Sequence, residues 1–154
     1  MNYEKTELGI KLDEGYRQFP YLDTDGNVTI GIGDNLTDRL GIKTLEEAKK
    51  VYPDGISYED AVKDMQNKVT KLIASLRINI PFFDTLDDVR QSILVNMAYN
   101  MGISHLIGFR KMLMDLKAKK YWMAASEMRD SLWYKQLPKR AERLATMMAT
   151  GDWL

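Results

Sequence analysis

The chain has 154 residues, with 45% hydrophobic and 29% charged content, one histidine and no cysteine. That length suits one folding unit with a core of its own, which excludes a disordered chain, and without cysteine neither disulfides nor thiolate metal sites are available. Formal net charge is zero, and nucleic-acid binding needs a stronger basic patch than this chain carries. The opening MNYEKTELGIKLDEG is too charged for a signal peptide and nowhere do eighteen apolar residues run together, so a soluble chain made in the cytoplasm, without stable membrane association, is expected.

The charge is unevenly placed. Residues 1–55 carry seven basic against eleven acidic side chains, and the remainder fifteen against eleven. An anionic polymer would be drawn to the second part, while an acidic first part suits a site that stabilises positive charge. Chance surface variation accounts for so modest an imbalance equally well.

In chain order, Tyr3, Leu8, Ile10 and Leu12 give a helical opening pattern that meets Gly15, a common stop just past the last turn, so Glu14 is expected at a helix end. Residues 13–33 then read DEGYRQFPYLDTDGNVTIGIG. Asp23 opens a run of turn formers in which Gly26 and Asn27 tolerate positive φ, and Val28, Thr29 and Ile30 are β-branched residues suited to a strand. The spacing predicts a hairpin with Asp23 at its entrance. A helix end folded against a hairpin can hold two carboxyl groups across a cleft, which glycosidic bond hydrolysis requires.

Residues 34–38 read as a polar turn. Thr44 to Glu47 has capping-box spacing and starts a helix that Pro53 and Gly55 stop. Ser57 caps a long helix over about 58–77, whose stripe of Ala61, Met65, Val69, Leu72, Ile73 and Leu76 recurs every three or four residues. Pro81 breaks the chain, and only helices are expected beyond it, at about 87–101, 106–117, 121–131 and 139–150. The first of these is apolar on nearly all sides and should be central. His105 is expected in a loop, solvated or capping. The methionines fall mostly at helical spacing and read as core filler, as do at least two of Trp122, Trp133 and Trp153.

Glu14, Asp23, Thr29 and the strand Ile30-Gly31-Ile32-Gly33 match without a gap the pattern of the T-even type bacteriophage lysozyme (endolysin) family, glycoside hydrolase family 24, which this segment resembles. The resemblance returns in Asn96 to Gly102, in Gly108-Phe109, in the run from Trp133 to Arg143 and in the ending Thr150-Gly151-Asp152-Trp153, so it covers nearly the whole chain. Asp34 stands where several members have His, which removes that side of an ion pair known in the family.

The resemblance implies a mostly helical α+β, lysozyme-like fold of two lobes. These are a small hairpin lobe over about 12–57 and an all-helical lobe over about 78–154, joined by the helix at 58–77, with helix 1–11 packing on the second lobe. It implies hydrolysis of the β-1,4 bond between N-acetylmuramic acid and N-acetylglucosamine in peptidoglycan by an inverting mechanism. Glu14 is then the general acid, holding its proton through partial burial, and an ionised Asp23 positions the attacking water with Thr29. Tyr99, Asn100, Asn35, Met112 and Glu127 occupy positions that line the cleft in relatives. Met112 and Glu127 replace small or amide residues there, and Leu137 stands where some members have a polar residue. No cofactor is implied. Peptidoglycan glycan strands are the expected partner, and a monomer the expected state.

Competing motifs fail on spacing. Asp23-Thr24-Asp25-Gly26-Asn27 places Gly fourth rather than sixth for a calcium loop, and no Glu stands twelfth. Gly31-Ile32-Gly33 lacks the third glycine of a dinucleotide fingerprint. A lone His without Cys makes a poor metal ligand. A non-catalytic peptidoglycan-binding module on the same fold would not need both carboxylates and Thr29, and a water-holding Asp/Thr pair favours hydrolysis over a transglycosylase.

Overall fold

In a computed structural model of the chain, which describes residues 1–154, the apolar spacings become ten α-helices, one 3-10 turn at Phe83–Thr85 and three short strands. The architecture is α+β and mostly helical. The chain divides into two compact units, one formed by Glu7–Thr70 and the other by Met1–Thr6 with Lys71–Leu154. Charge follows this division: the first unit has eight basic against thirteen acidic residues, the second fourteen against nine.

In the unit Glu7–Thr70, helix α1 (Tyr3–Glu14) ends where Gly15 takes φ +65° and its N–H bonds to the Lys11 carbonyl at 2.9 Å. Such a left-handed residue closes a helix with an otherwise unpaired carbonyl satisfied. Strands β1 (Arg17–Leu22), β2 (Val28–Gly31) and β3 (Asp34–Asn35) form an antiparallel sheet in that order. The β1–β2 turn is closed by bonds from the Asp23 N–H to the Asn27 carbonyl, 2.9 Å, and from the Gly26 N–H to the Asp23 carbonyl, 3.0 Å. Gly26 takes the expected positive φ but Asn27 does not.

The expected polar turn at 34–38 is instead β3 followed by helix α2 (Leu36–Leu40), because Asn35 caps that helix through its side chain and Leu36 is drawn fully into the core. Helix α3 (Leu45–Val51) has the expected cap, with the Glu47 N–H on Thr44 Oγ1 at 3.2 Å, and Ser57 Oγ accepts from the Asp60 N–H at the start of α4 (Tyr58–Asn79).

In the second unit, α5 (Asp88–Met101) is buried from Val89 through Tyr99 and is the core helix. Each fully buried Ile or Leu there contributes roughly 1.5–3 kcal/mol relative to exposure. Its polar residues are paired: the Arg90 Nε donates to the Met148 carbonyl at 2.9 Å, Gln91 Nε2 to the Phe83 carbonyl at 3.0 Å, and Asn96 Oδ1 accepts from Arg140 Nε at 3.0 Å. A buried polar group left unpaired would cost about 1–3 kcal/mol, so the bonds to Met148 and from Arg140 fix where the last helix, α10 (Pro138–Thr150), lies on α5.

The stretch expected as one helix at 106–117 is two, α6 (Ile103–Ile107) and α7 (Arg110–Lys117), parted at Gly108 and Phe109. His105 accordingly lies in a helix rather than a loop, its Nδ1 3.0 Å from the Met101 carbonyl. Helices α8 (Tyr121–Arg129), α9 (Leu132–Gln136) and α10 (Pro138–Thr150) complete the unit. The sequence did not signal α9, a five-residue helix capped by Ser131. Met97, Met112, Met128, Met147 and Met148 are core residues, but Met114 and Met123 are exposed. Of the tryptophans, Trp133 is buried and Trp122 is exposed.

Candidate active site

Within Glu7–Thr70 the expected catalytic residues are held by three different local devices. Glu14 is the last residue of α1, half-buried, and its carboxyl group rests against the backbone of Gly33. A methyl group built on Gly33 would lie 2.5 Å from Glu14 Oε2 and 2.7 Å from its Cδ. Gly33 is thus glycine for two reasons, its φ of +60° and the carboxyl group above it. Gly31, with φ +65°, serves a different neighbour: a methyl there would meet the Ala61 Cβ at 3.2 Å, so its absence admits the first turn of α4. The Gly-x-Gly run is therefore a pair of close approaches, one to a helix and one to the acid.

Asp23 is fixed by its own turn. One carboxylate oxygen accepts from the N–H groups of Asp25, at 2.9 Å, and Asn27, at 2.8 Å, and the other from Asn27 Nδ2 at 3.4 Å. Such an Asx turn sets the direction of the carboxylate without help from a distant element. Thr29 is buried in the middle strand and its hydroxyl donates to the Asn27 carbonyl at 3.0 Å, which leaves the oxygen's lone pairs free to accept.

Tyr21 pairs with Thr29 across β1–β2, and Thr29 with Asn35 across β2–β3. Directly paired residues share a face of a sheet, so Tyr21, Thr29 and Asn35 form one row. Asn35 Oδ1 caps α2 by accepting from the Asp38 N–H at 3.0 Å. Burial pushes the Tyr21 phenol above its usual value of 10.0; the Glu14 carboxylate raises it further, Arg17 lowers it and Asp23 raises it. One phenol thus feels the charge of both Glu14 and Asp23.

Asp34, in the position of the family's His, is buried and held by Arg39: Nε lies 3.1 and 3.2 Å from its two oxygens, and Nη2 lies 2.7 Å from one of them. Nη2 also donates to the Tyr52 hydroxyl at 3.0 Å. The guanidinium is held firmly protonated by the Asp34 hydrogen bonds, against the opposing effect of burial. A charge pair is therefore present at this position, with the carboxylate on the strand and its cation five residues on. Asp64 is raised above the usual carboxylate range, chiefly by burial, then by Asp34, with Arg39 opposing and Asp60 adding to it. A groove of about 500 Å³ in this unit, lined by Tyr52, Ile56, Asp60, Lys63, Asp64 and Asn67 among others, includes none of Glu14, Asp23 and Thr29.

The other residues named from the resemblance belong to the second unit. Asn100 is half-buried and its Oδ1 accepts from Trp133 Nε1 at 2.9 Å, which turns its amide nitrogen away from the indole. Phe109 meets the same indole edge-on, with centroids 6.2 Å apart. Tyr99 is 4% exposed, Glu127 is half-buried, and Met112 at 1% exposure offers almost no surface to a ligand. Tyr21 was missed in the sequence, since only the strand register sets it opposite Thr29.

A mostly helical α+β chain whose small sheet and preceding helix end carry two carboxylates, a buried threonine and a Gly-x-Gly strand has the layout of a lysozyme-type glycoside hydrolase. The phage lysozyme model matches residues 11–147, and the chain belongs to that family. It is 30% identical to probable T4-type lysozyme 1 and 32% identical to probable T4-type lysozyme 2 of Dictyostelium discoideum, covering 92% of both chains in each case. It is also 29% identical to the pre-baseplate central spike protein Gp5 of Enterobacteria phage T4, over 93% of this chain and 27% of that one. No helix is long and apolar enough to cross a membrane.

Proposed function

We propose that the chain is a lysozyme that cleaves the β-1,4 bond between N-acetylmuramic acid and N-acetylglucosamine with inversion, using Glu14 as general acid and Asp23 with Thr29 to position water. The observation that carries this is the grouping of Glu14, Asp23 and Thr29 around Tyr21, whose phenol feels both carboxylates and whose strand partner is Thr29. Glu14 gives its proton to the glycosidic oxygen as the bond to the anomeric carbon breaks. Water attacks that carbon from the opposite face, its proton passing to Asp23, and the sugar leaves with a new hydroxyl of inverted configuration. An inverting pair needs about 6.5–9.5 Å between carboxyl groups to admit that water.

Tyr99 and Asn100 are the best candidates in the second unit for sugar contacts. With its oxygen given to Trp133, Asn100 keeps two N–H donors for a carbonyl such as that of an acetamido group. Asn35 and Glu127 are weaker candidates, and burial leaves Met112 the weakest. The substrate is the glycan strand of peptidoglycan, met by a monomer.

Clearing of a cell-wall suspension by the wild type and by Glu14→Gln tests this reading. Loss of a general acid lowers rates by about 10²–10⁴-fold. Equal clearing by the two proteins overturns the assignment, and anhydro products in the mass spectrum overturn hydrolysis in favour of a transglycosylase.

A further inference from the structure

We infer that Tyr21 is a further residue of the hydrolytic site, its phenolic hydroxyl donating a hydrogen bond to the sugar or water held by Glu14 and Asp23. This rests on the function proposed above and adds a group to it. Three features place Tyr21 there. It is the cross-strand partner of Thr29 and lies in the same row as Asn35, so the sheet's register fixes it beside the threonine that handles the water. It stands two residues before Asp23, with the Asx turn of Asp23 beginning directly after β1 ends at Leu22. Its ring is covered on one side by the Arg17 guanidinium, whose carbon lies 4.3 Å from the ring centroid.

The guanidinium over its face restrains the ring. Register shifts between Arg17 and Tyr21 mark a bulge in β1, and bulges commonly re-aim a side chain beside a site.

The use of the hydroxyls separates Tyr21 from other tyrosines of the chain. Tyr16 gives its hydroxyl to the Ile56 carbonyl, Tyr52 accepts from Arg39 and Tyr134 donates to Glu142. The Tyr21 hydroxyl is instead set apart by two acids that act on it, Glu14 and Asp23, and its chemistry beside them is that of a donor. The charged groups that face it are Glu14, Arg17 and Asp23; burial and the two carboxylates outweigh the guanidinium, so the phenol keeps its proton beyond the ordinary tyrosine range. A donor that does not ionise across the working pH range can support charge developing on a sugar hydroxyl or on the departing oxygen without a proton changing hands.

The test compares wild type, Tyr21→Phe and Glu14→Gln on soluble peptidoglycan fragments, with kcat, KM and Tm measured for each. Tyr21→Phe keeps the ring under Arg17 and removes only the oxygen. The expected result is a fall of about tenfold in kcat, with KM changed less than twofold and Tm held within about 1 °C; tenfold corresponds to 1.36 kcal/mol of transition-state stabilisation. Wild-type kcat/KM for Tyr21→Phe, alongside an inactive Glu14→Gln, overturns the role of Tyr21 and leaves the catalytic assignment standing. A fall in kcat matched by a loss of Tm also overturns it, since the residue would then act through the fold. Turnover retained by Glu14→Gln removes the underlying function instead.

Discussion

Gly33→Ala tests how closely the acid depends on the missing side chain beneath it. Two costs separate cleanly. A non-glycine residue at φ +60° costs roughly 1–2 kcal/mol in backbone strain. In addition, the new methyl would lie 2.5 Å from Glu14 Oε2, where ordinary contact begins at 3.4 Å, so the carboxyl group must retreat by roughly 1 Å. A misplacement of that size can cost about a hundredfold in rate, while the strain lowers Tm by about 2–8 °C in a domain of this length. Gly41→Ala is the matched control: its φ is +68°, at the end of α2, and nothing lies within 4 Å of the added carbon. Both variants should lose similar stability by thermal melting, and only Gly33→Ala should lose clearing of cell-wall suspensions. Wild-type clearing by Gly33→Ala, or an equal loss in Gly41→Ala, refutes the reasoning.

Two further predictions concern the ion pairs. Arg39→Met leaves the Asp34 carboxylate, whose side chain is 12% exposed, without its cation; because Arg39 itself is 45% exposed, the cost is discounted to about 1–3 kcal/mol. A melt should show a Tm several degrees lower, with most of it regained in Arg39→Met/Asp34→Asn; an unchanged Tm in the single variant refutes the pairing. At the surface of the second unit, the Arg129 hydrogen bond, joined by those from Tyr134 and Thr146 and opposed by burial, holds Glu142 below the ordinary carboxylate value of 4.5. A carboxylate with a depressed folded value contributes stability above its unfolded value and loses it as pH falls through the folded one. The Tm gap between wild type and Glu142→Gln should therefore be small but present at pH 7 and close below pH 4.5. A gap that persists or widens in acid contradicts the network.

The caps and stops were legible because their physics is local. Glu14 before Gly15, Thr44 with Glu47, Ser57 before Asp60 and the turn opened by Asp23 each act over a few residues, and each formed where the spacing put it. The apolar circumference of α5 likewise announced a core helix before any packing was known. What failed were short elements whose existence depends on partners. Helix α2 forms because Leu36 has a core to enter, and α9 because Ser131 caps a turn that carries Trp133 inward.

The same division runs through the site. Sequence alone determined which residues stand at a helix end, in a tight turn and on a β-branched strand, since chain neighbours within five positions decide those conformations. It could not determine what lies above Gly33, which residue the strand register sets opposite Thr29, or which cation answers Asp34. Those follow from close packing and strand pairing between segments far apart in the chain, where a single missing methyl or a one-residue shift of register reassigns every neighbour.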